Sequence, residues 1–236
     1  MANDKCLFRA RTATTSFFIW SLCIGASNFE KCIDTEFYGQ QILASFEADC
    51  SDLIFKGLCR VVIDIDEGQS LLGITFKSES EIGNTTPENL NKQVLTKFGT
   101  YGMVQKDLLT AFGRIWNNGL GAYMKQLWAE YCDLYISFSG YSLGACLAQM
   151  AAVRFQEEKW WPADQMFYYG YGTPRCGNEK TIKYDSWSSV ASNTFSTCAS
   201  NTCLTETPSP LDHSTYFGTT AANVDSLVCT DAKKFL

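Results

Sequence analysis

Between the apolar run Asp133 to Phe138 (DLYISF) and a helical pattern from Leu143 to Gln156, the chain reads Gly140-Tyr141-Ser142-Leu143-Gly144. A strand that turns sharply into a helix needs backbone room, and glycines on either side of a serine supply it by removing two Cβ atoms. The serine Oγ is then held proud of the sheet. The helix N-terminus behind it, with the Leu143 N–H, favours a developing negative charge. An ordinary Gly-rich turn is the plain alternative for the same five residues. Met166 to Tyr171 (MFYYGY) reads as a further buried strand, and strand, helix, strand in that order implies a parallel crossover. The expected class is α/β, with a mostly parallel central sheet and flanking helices.

Upstream, Arg60 to Asp64 (RVVID) and Leu71 to Phe76 (LLGITF) flank Asp66-Glu67-Gly68, the pattern of an antiparallel hairpin. From Met103 to Tyr131 apolar residues recur at helical spacing, and Asn118-Gly119 marks a break between two abutting helices. With no repeat and no linker before the last quarter, one domain is the default.

The chain has 236 residues, 46% of them hydrophobic, which is enough for a buried core and excludes disorder as the dominant state. A net charge of −6 without any basic cluster argues against a nucleic-acid partner. Eleven cysteines are more than a reducing compartment usually carries and point to a secreted, extracellular domain. Lys5, Arg9 and Arg11 precede the apolar run Ser16 to Ala26, the layout of a signal peptide over residues 1–27, with the domain at 28–236. The same run also reads as a first amphipathic helix. At 11 residues it is too short for a stable membrane anchor, which takes about 20.

The sole histidine, His213, lies in Asp212-His213-Ser214-Thr215-Tyr216-Phe217-Gly218, late in the chain, where the order serine, acid, histidine puts a catalytic base. Together these segments resemble the class 3 lipases, the fungal triacylglycerol lipases and their nematode relatives, from about Cys32 to Cys229. SGYSLGACLAQMAA resembles the family's T-G-H-S-L-G-G-A-L-A-x-x-A-A, and YGTPRCGN its F-G-x-P-R-V-G-N. GITFKSE is similar to the strand ending in F-R-G-[ST], DHSTYFG to D-H-x-x-Y-F-G, and LLTAFGRIWNNGL to a helix of nematode members.

The resemblance implies an α/β-hydrolase-like fold and a serine hydrolase acting on lipid esters. Ser142 would be the nucleophile, His213 the general base, and the Leu143 N–H an oxyanion donor. No metal or organic cofactor is implied. The implied partners are a lipid ester and a lipid–water interface, although the segment in the lid position, Ser80 to Gln93, is polar and offers no apolar helix to such an interface. Asn84-Thr85-Thr86 within it is an N-glycosylation sequon.

Three departures bear on the site. The family's acid-bearing H-x-x-D-x-V-P-x-L-P segment is missing, and the chain reaches His213 within 35 residues of Asn178 (178 to 213). Asp185, at the end of a strand expected over Thr181 to Tyr184, is the substitute acid by reach and residue type. KYDSW also reads as the family's later E-V-W-Y strand, in which Asp185 is merely structural. Glu79 stands where the family has the oxyanion Ser or Thr, so only its backbone N–H could donate to the oxyanion. Tyr141 replaces the elbow histidine. An active hydrolase, a catalytically impaired lipid-binding relative and a truncated splice product all fit these departures.

The family pattern pairs Cys198 with Cys203, Cys50 with Cys59, and Cys229 with an N-terminal cysteine such as Cys32. Cys146 and Cys176 read as small core residues, and the odd cysteine count leaves at least one thiol unpaired.

Overall fold

The computed structural model describes residues 40–78, 94–100, 102–174 and 176–178, together with the backbone alone of four short strands beyond them. β1 (Gln40–Asp49), β2 (Leu58–Asp66) and β3 (Leu71–Ser78) form an antiparallel meander, in which the expected hairpin around Asp66-Glu67-Gly68 is β2–β3. After the two helices below, β6 (Tyr135–Tyr141) adds parallel to β3, and β7 (Met166–Tyr171) parallel to β6. The five-stranded order is β1-β2-β3-β6-β7, with the expected parallel crossover at β6–β7. This is the α/β architecture expected, with the antiparallel pairings confined to the β1 edge.

Between β3 and β6 run α1 (Lys106–Ile115) and α2 (Gly121–Tyr131). α1 buries Leu108, Ala111, Phe112 and Ile115, a single stripe at helical spacing. Asp107 in its first turn accepts the Ile54 N–H at 3.1 Å, and both Asp107 and Arg114 in the last turn oppose the helix dipole. The expected break falls at Asn118-Gly119, inside a π-type turn. Gly119 has φ +121°, and a Cβ there would also meet the Phe46 ring at 2.9 Å.

The helical pattern extends back to Met103 in the sequence, but the helix starts only at Lys106. Gly102–Gln105 is instead β5, antiparallel to β4 (Leu95–Phe98). Its backbone groups are further engaged by 176–178: the Met103 N–H by Asn178 Oδ1 at 3.1 Å and the Gln105 N–H by the Cys176 carbonyl at 3.0 Å. Periodicity carries no record of those distant partners.

α3 (Leu143–Glu158) connects β6 to β7 and is buried along most of its first three turns, because it packs on β3, β6 and β7. Phe138 of β6 meets Phe155 of α3 edge-on at 5.0 Å, and Phe155 in turn contacts Trp160 and Trp161. The opposite face of the sheet is polar for a buried surface. There Thr75 and Ser139 share a 2.6 Å hydrogen bond, and Asp64, Gly73 and Ser137 stand in register across β2, β3 and β6.

Beyond the central sheet, β8 (Tyr184–Ser186) pairs with β9 (Ser196–Cys198), and β10 (Thr215–Tyr216) with β11 (Thr219–Thr220), both antiparallel. Residues 1–39, the lid segment with its sequon, and Cys203 and Cys229 lie outside the described residues.

Candidate active site

β6 runs straight into α3 at Ser142, which caps the helix with φ 55° and ψ −124°. A positive φ costs a non-glycine residue about 1–3 kcal/mol and persists only where the surroundings over-determine it. Here they do. The Ser142 N–H donates to the Tyr171 carbonyl at 2.8 Å, and the Ala145 N–H donates to the Ser142 carbonyl at 3.1 Å.

Both elbow glycines are required by close approach. A Cβ on Gly140 would lie 2.5 Å from the Gly144 backbone, and one on Gly144 would overlap the Phe76 carbonyl oxygen and crowd the Lys77 Cα. The first turn of α3 therefore presses against the end of β3, the strand that leads to Glu79. Leu143 is the first residue of α3, so its N–H has no acceptor within the helix. The turn lies at the carboxyl ends of the parallel strands, where α/β folds place their ligand sites.

Around the elbow the hydroxyl groups are phenolic as well as aliphatic. Burial pushes the Tyr141 phenol up to about 12, and burial, with Tyr169 adding repulsion, raises Tyr171 well above the usual phenol value. Both stay protonated near neutral pH and cannot serve as bases. The Tyr168 hydroxyl donates to the Ala145 carbonyl in the first turn of α3 at 3.1 Å, an anchor that sequence reading missed.

Of the residues singled out from sequence, the structure brings together Ser142 and Leu143 and sets them against the end of β3. Asp185 is the middle residue of β8, opposite Thr197, rather than at the end of a strand over Thr181 to Tyr184; its side chain lies outside the described residues. Glu79 and His213 lie outside them as well.

The cysteine reading needs one correction. Cys146 and Cys176 are not separate core thiols: they form a disulfide, with Cα atoms 5.6 Å apart. Both are fully buried, so their burial alone gave no hint of the bond. It forms because the chain after β7 folds back onto α3. Cys50–Cys59 is paired as the family pattern implies, and Cys132 is an exposed free thiol. Among the described residues no cluster of His, Cys, Asp or Glu could hold a metal ion, and no helix is long and apolar enough to cross a membrane.

The sequence profile of "Lipase (class 3)" matches residues 74–209, more than half of the chain. Among solved structures, a lipase from Rhizopus microsporus var. chinensis superposes with a TM-score of 0.65 at 15% identity, covering 90% of each chain. A triacylglycerol lipase whose catalytic centre is described as a serine protease triad gives 0.64 at 16%, covering 89% of this chain and 96% of that one. The Rhizomucor miehei lipase in its native propeptide complex gives 0.53 at 18%, over 72% of this chain and 55% of that one. At such identities the likeness speaks for the fold. No curated protein matches the chain at a significant level.

Proposed function

The chain belongs to the class 3 lipase family, and from that premise we propose that it is a secreted serine hydrolase cleaving carboxylic esters of lipids through an acyl-serine intermediate. One observation carries the reading: Ser142 is held at positive φ between a parallel strand and a helix N-terminus, with its backbone tied to β7. Lys56, Ser70 and Lys159 hold a similar φ at ordinary turns, so it is the place of Ser142 in a strand-to-helix elbow, where the Oγ is held at the end of the sheet, that supports its reading as the nucleophile.

In the proposed reaction, His213 accepts the Ser142 proton as Oγ attacks the ester carbonyl. The N–H groups of Leu143 and Glu79 stabilise the oxyanion. His213 then protonates the leaving alkoxide, and water clears the acyl group by the reverse sequence. Asp185 is the proposed acid that orients His213. The lipid ester is taken from a lipid–water interface, and residues 28–236 act as one hydrolase domain. Secretion is supported by two disulfides, Cys50–Cys59 and Cys146–Cys176, which persist in oxidising compartments.

The test is intact-mass detection of a fluorophosphonate adduct, which reports an activated serine without a choice of ester. One adduct per chain, lost in Ser142→Ala, is the expected result. No adduct on protein that melts cooperatively would overturn the reading and favour a lipid-binding relative without catalysis, for which Glu79 and the missing acid segment already argue.

A further inference from the structure

We propose that Tyr168 is a positioning residue of the hydrolytic reaction: its hydroxyl, seated by Gly170 and Thr173, fixes the first turn of α3 against β7 and with it Ser142 and the Leu143 N–H. The inference rests on the serine-hydrolase reading and adds to it a part that the family motif does not assign. Tyr168 precedes the Y-G-T-P-R-C-G-N segment, and Thr173 takes its unspecified position.

β7 holds the elbow at two points. The Tyr171 carbonyl accepts the Ser142 N–H at 2.8 Å, a bond between backbones that no particular side chain is needed to make. The second bond does depend on a side chain, for the Tyr168 hydroxyl donates to the Ala145 carbonyl at 3.1 Å. Ala145 follows Ser142 by three residues, and its own N–H donates to the Ser142 carbonyl at 3.1 Å. The two bonds from β7 therefore grip one helical turn from its two ends, with Leu143 between them. The Ala145 carbonyl can take the phenol beside its helical bond, because the oxygen has two lone pairs.

The chain around Tyr168 is built to seat that hydroxyl. Thr173 Oγ1 lies 3.4 Å from it. The phenol has one proton, which goes to a carbonyl that can only accept, so the Thr173 hydroxyl is the donor in this pair. Gly172, at φ +56°, turns the chain out of β7 just before Thr173. A Cβ on Gly170 would overlap both the Tyr168 hydroxyl and Thr173 Oγ1. The Gly170 backbone is not in the left-handed region, so it is the space above it, and not its conformation, that requires glycine.

The gripped turn carries the reacting groups. Ser142 sits at φ 55°, a conformation that persists only while its surroundings enforce it. Its Oγ must reach the ester carbonyl while the Leu143 N–H stays within about 3 Å of the developing oxyanion. A misplacement of about 1 Å can cost a hundredfold in rate. Trp161 makes a bond of the same kind at the other end of the sheet, where its Nε1–H donates to the Leu134 carbonyl at 2.9 Å just before β6. That bond holds the fold without bearing on the elbow.

The experiment compares fluorophosphonate labelling kinetics of the wild type, Tyr168→Phe and Trp161→Phe, each well below its melting midpoint. The expected result is a fall of about threefold or more in the maximal labelling rate of Tyr168→Phe alone, with an unchanged half-saturating probe concentration. A smaller fall, a raised half-saturating concentration in its place, or an equal fall in Trp161→Phe overturns the proposal in favour of a merely structural bond. If Tyr168→Phe does not melt cooperatively, Thr173→Val, which removes the partner hydroxyl at nearly constant shape, is measured under the same criteria. A wild type that takes no label defeats the hydrolase reading and this inference with it, whereas a labelled wild type beside an equally labelled Tyr168→Phe defeats this inference alone.

Discussion

Asp64→Asn should remove a large pH dependence of stability. Asp64 is 4% exposed in β2, between Ile42 of β1 and Gly73 of β3, and its Oδ1 has no hydrogen-bond partner. Its carboxyl group occupies the space that a Cβ on Gly73 would need. Burial first, and repulsion from Asp66 second, push its pKa from 3.8 up to about 8. Because the folded-state value is raised, the folded protein holds this proton more tightly than the unfolded chain does. Stability is therefore intact below the unfolded pKa and is lost progressively as the pH rises through the folded one. The loss is about 1.4 kcal/mol per pH unit in that window, or roughly 4 kcal/mol between about pH 4 and pH 7. That is a large share of the ~5–15 kcal/mol that typically holds a domain together.

Asparagine keeps the shape of the protonated acid and cannot ionise. Urea unfolding of both proteins across the same pH series isolates Asp64, since every other group titrates in both. The two should unfold nearly together in acid, and the variant should be the more stable by a margin that widens toward about pH 8. A difference independent of pH, or one that widens against the variant, would refute the reasoning.

Gly144→Ala forces the new methyl group into the Phe76 carbonyl, backbone against backbone. It should cost about 1–3 kcal/mol, read as a lowered melting midpoint, and cut the fluorophosphonate labelling rate by moving α3 off β3. Asp185→Asn should slow labelling steeply, since the equivalent change in a serine triad lowers turnover by up to about 10⁴-fold. An unchanged rate would dismiss Asp185 as the acid and leave it a strand residue of β8.

The elbow was legible in the sequence because its cause is local. Gly140, Ser142 and Gly144 lie within five residues, and the apolar runs on both sides declare a strand and a helix by period alone. The β2–β3 hairpin and the break at Asn118-Gly119 were readable for the same reason: turn chemistry acts on adjacent residues. The family followed from several such local segments in the right order. Tertiary structure decided whatever depends on residues far apart in the chain. Gly102–Gln105 left the helical pattern because Cys176 and Asn178 claim its backbone groups, and Cys146 became a disulfide partner because the segment after β7 returns to α3. Asp64 is a buried lone acid because β3 offers Gly73 beside it, a neighbour that no periodicity reveals. Spacing along the chain records which face a residue takes; only the packed fold determines what stands across from it, and hydrogen bonds, disulfides and proton affinities are set by that neighbour.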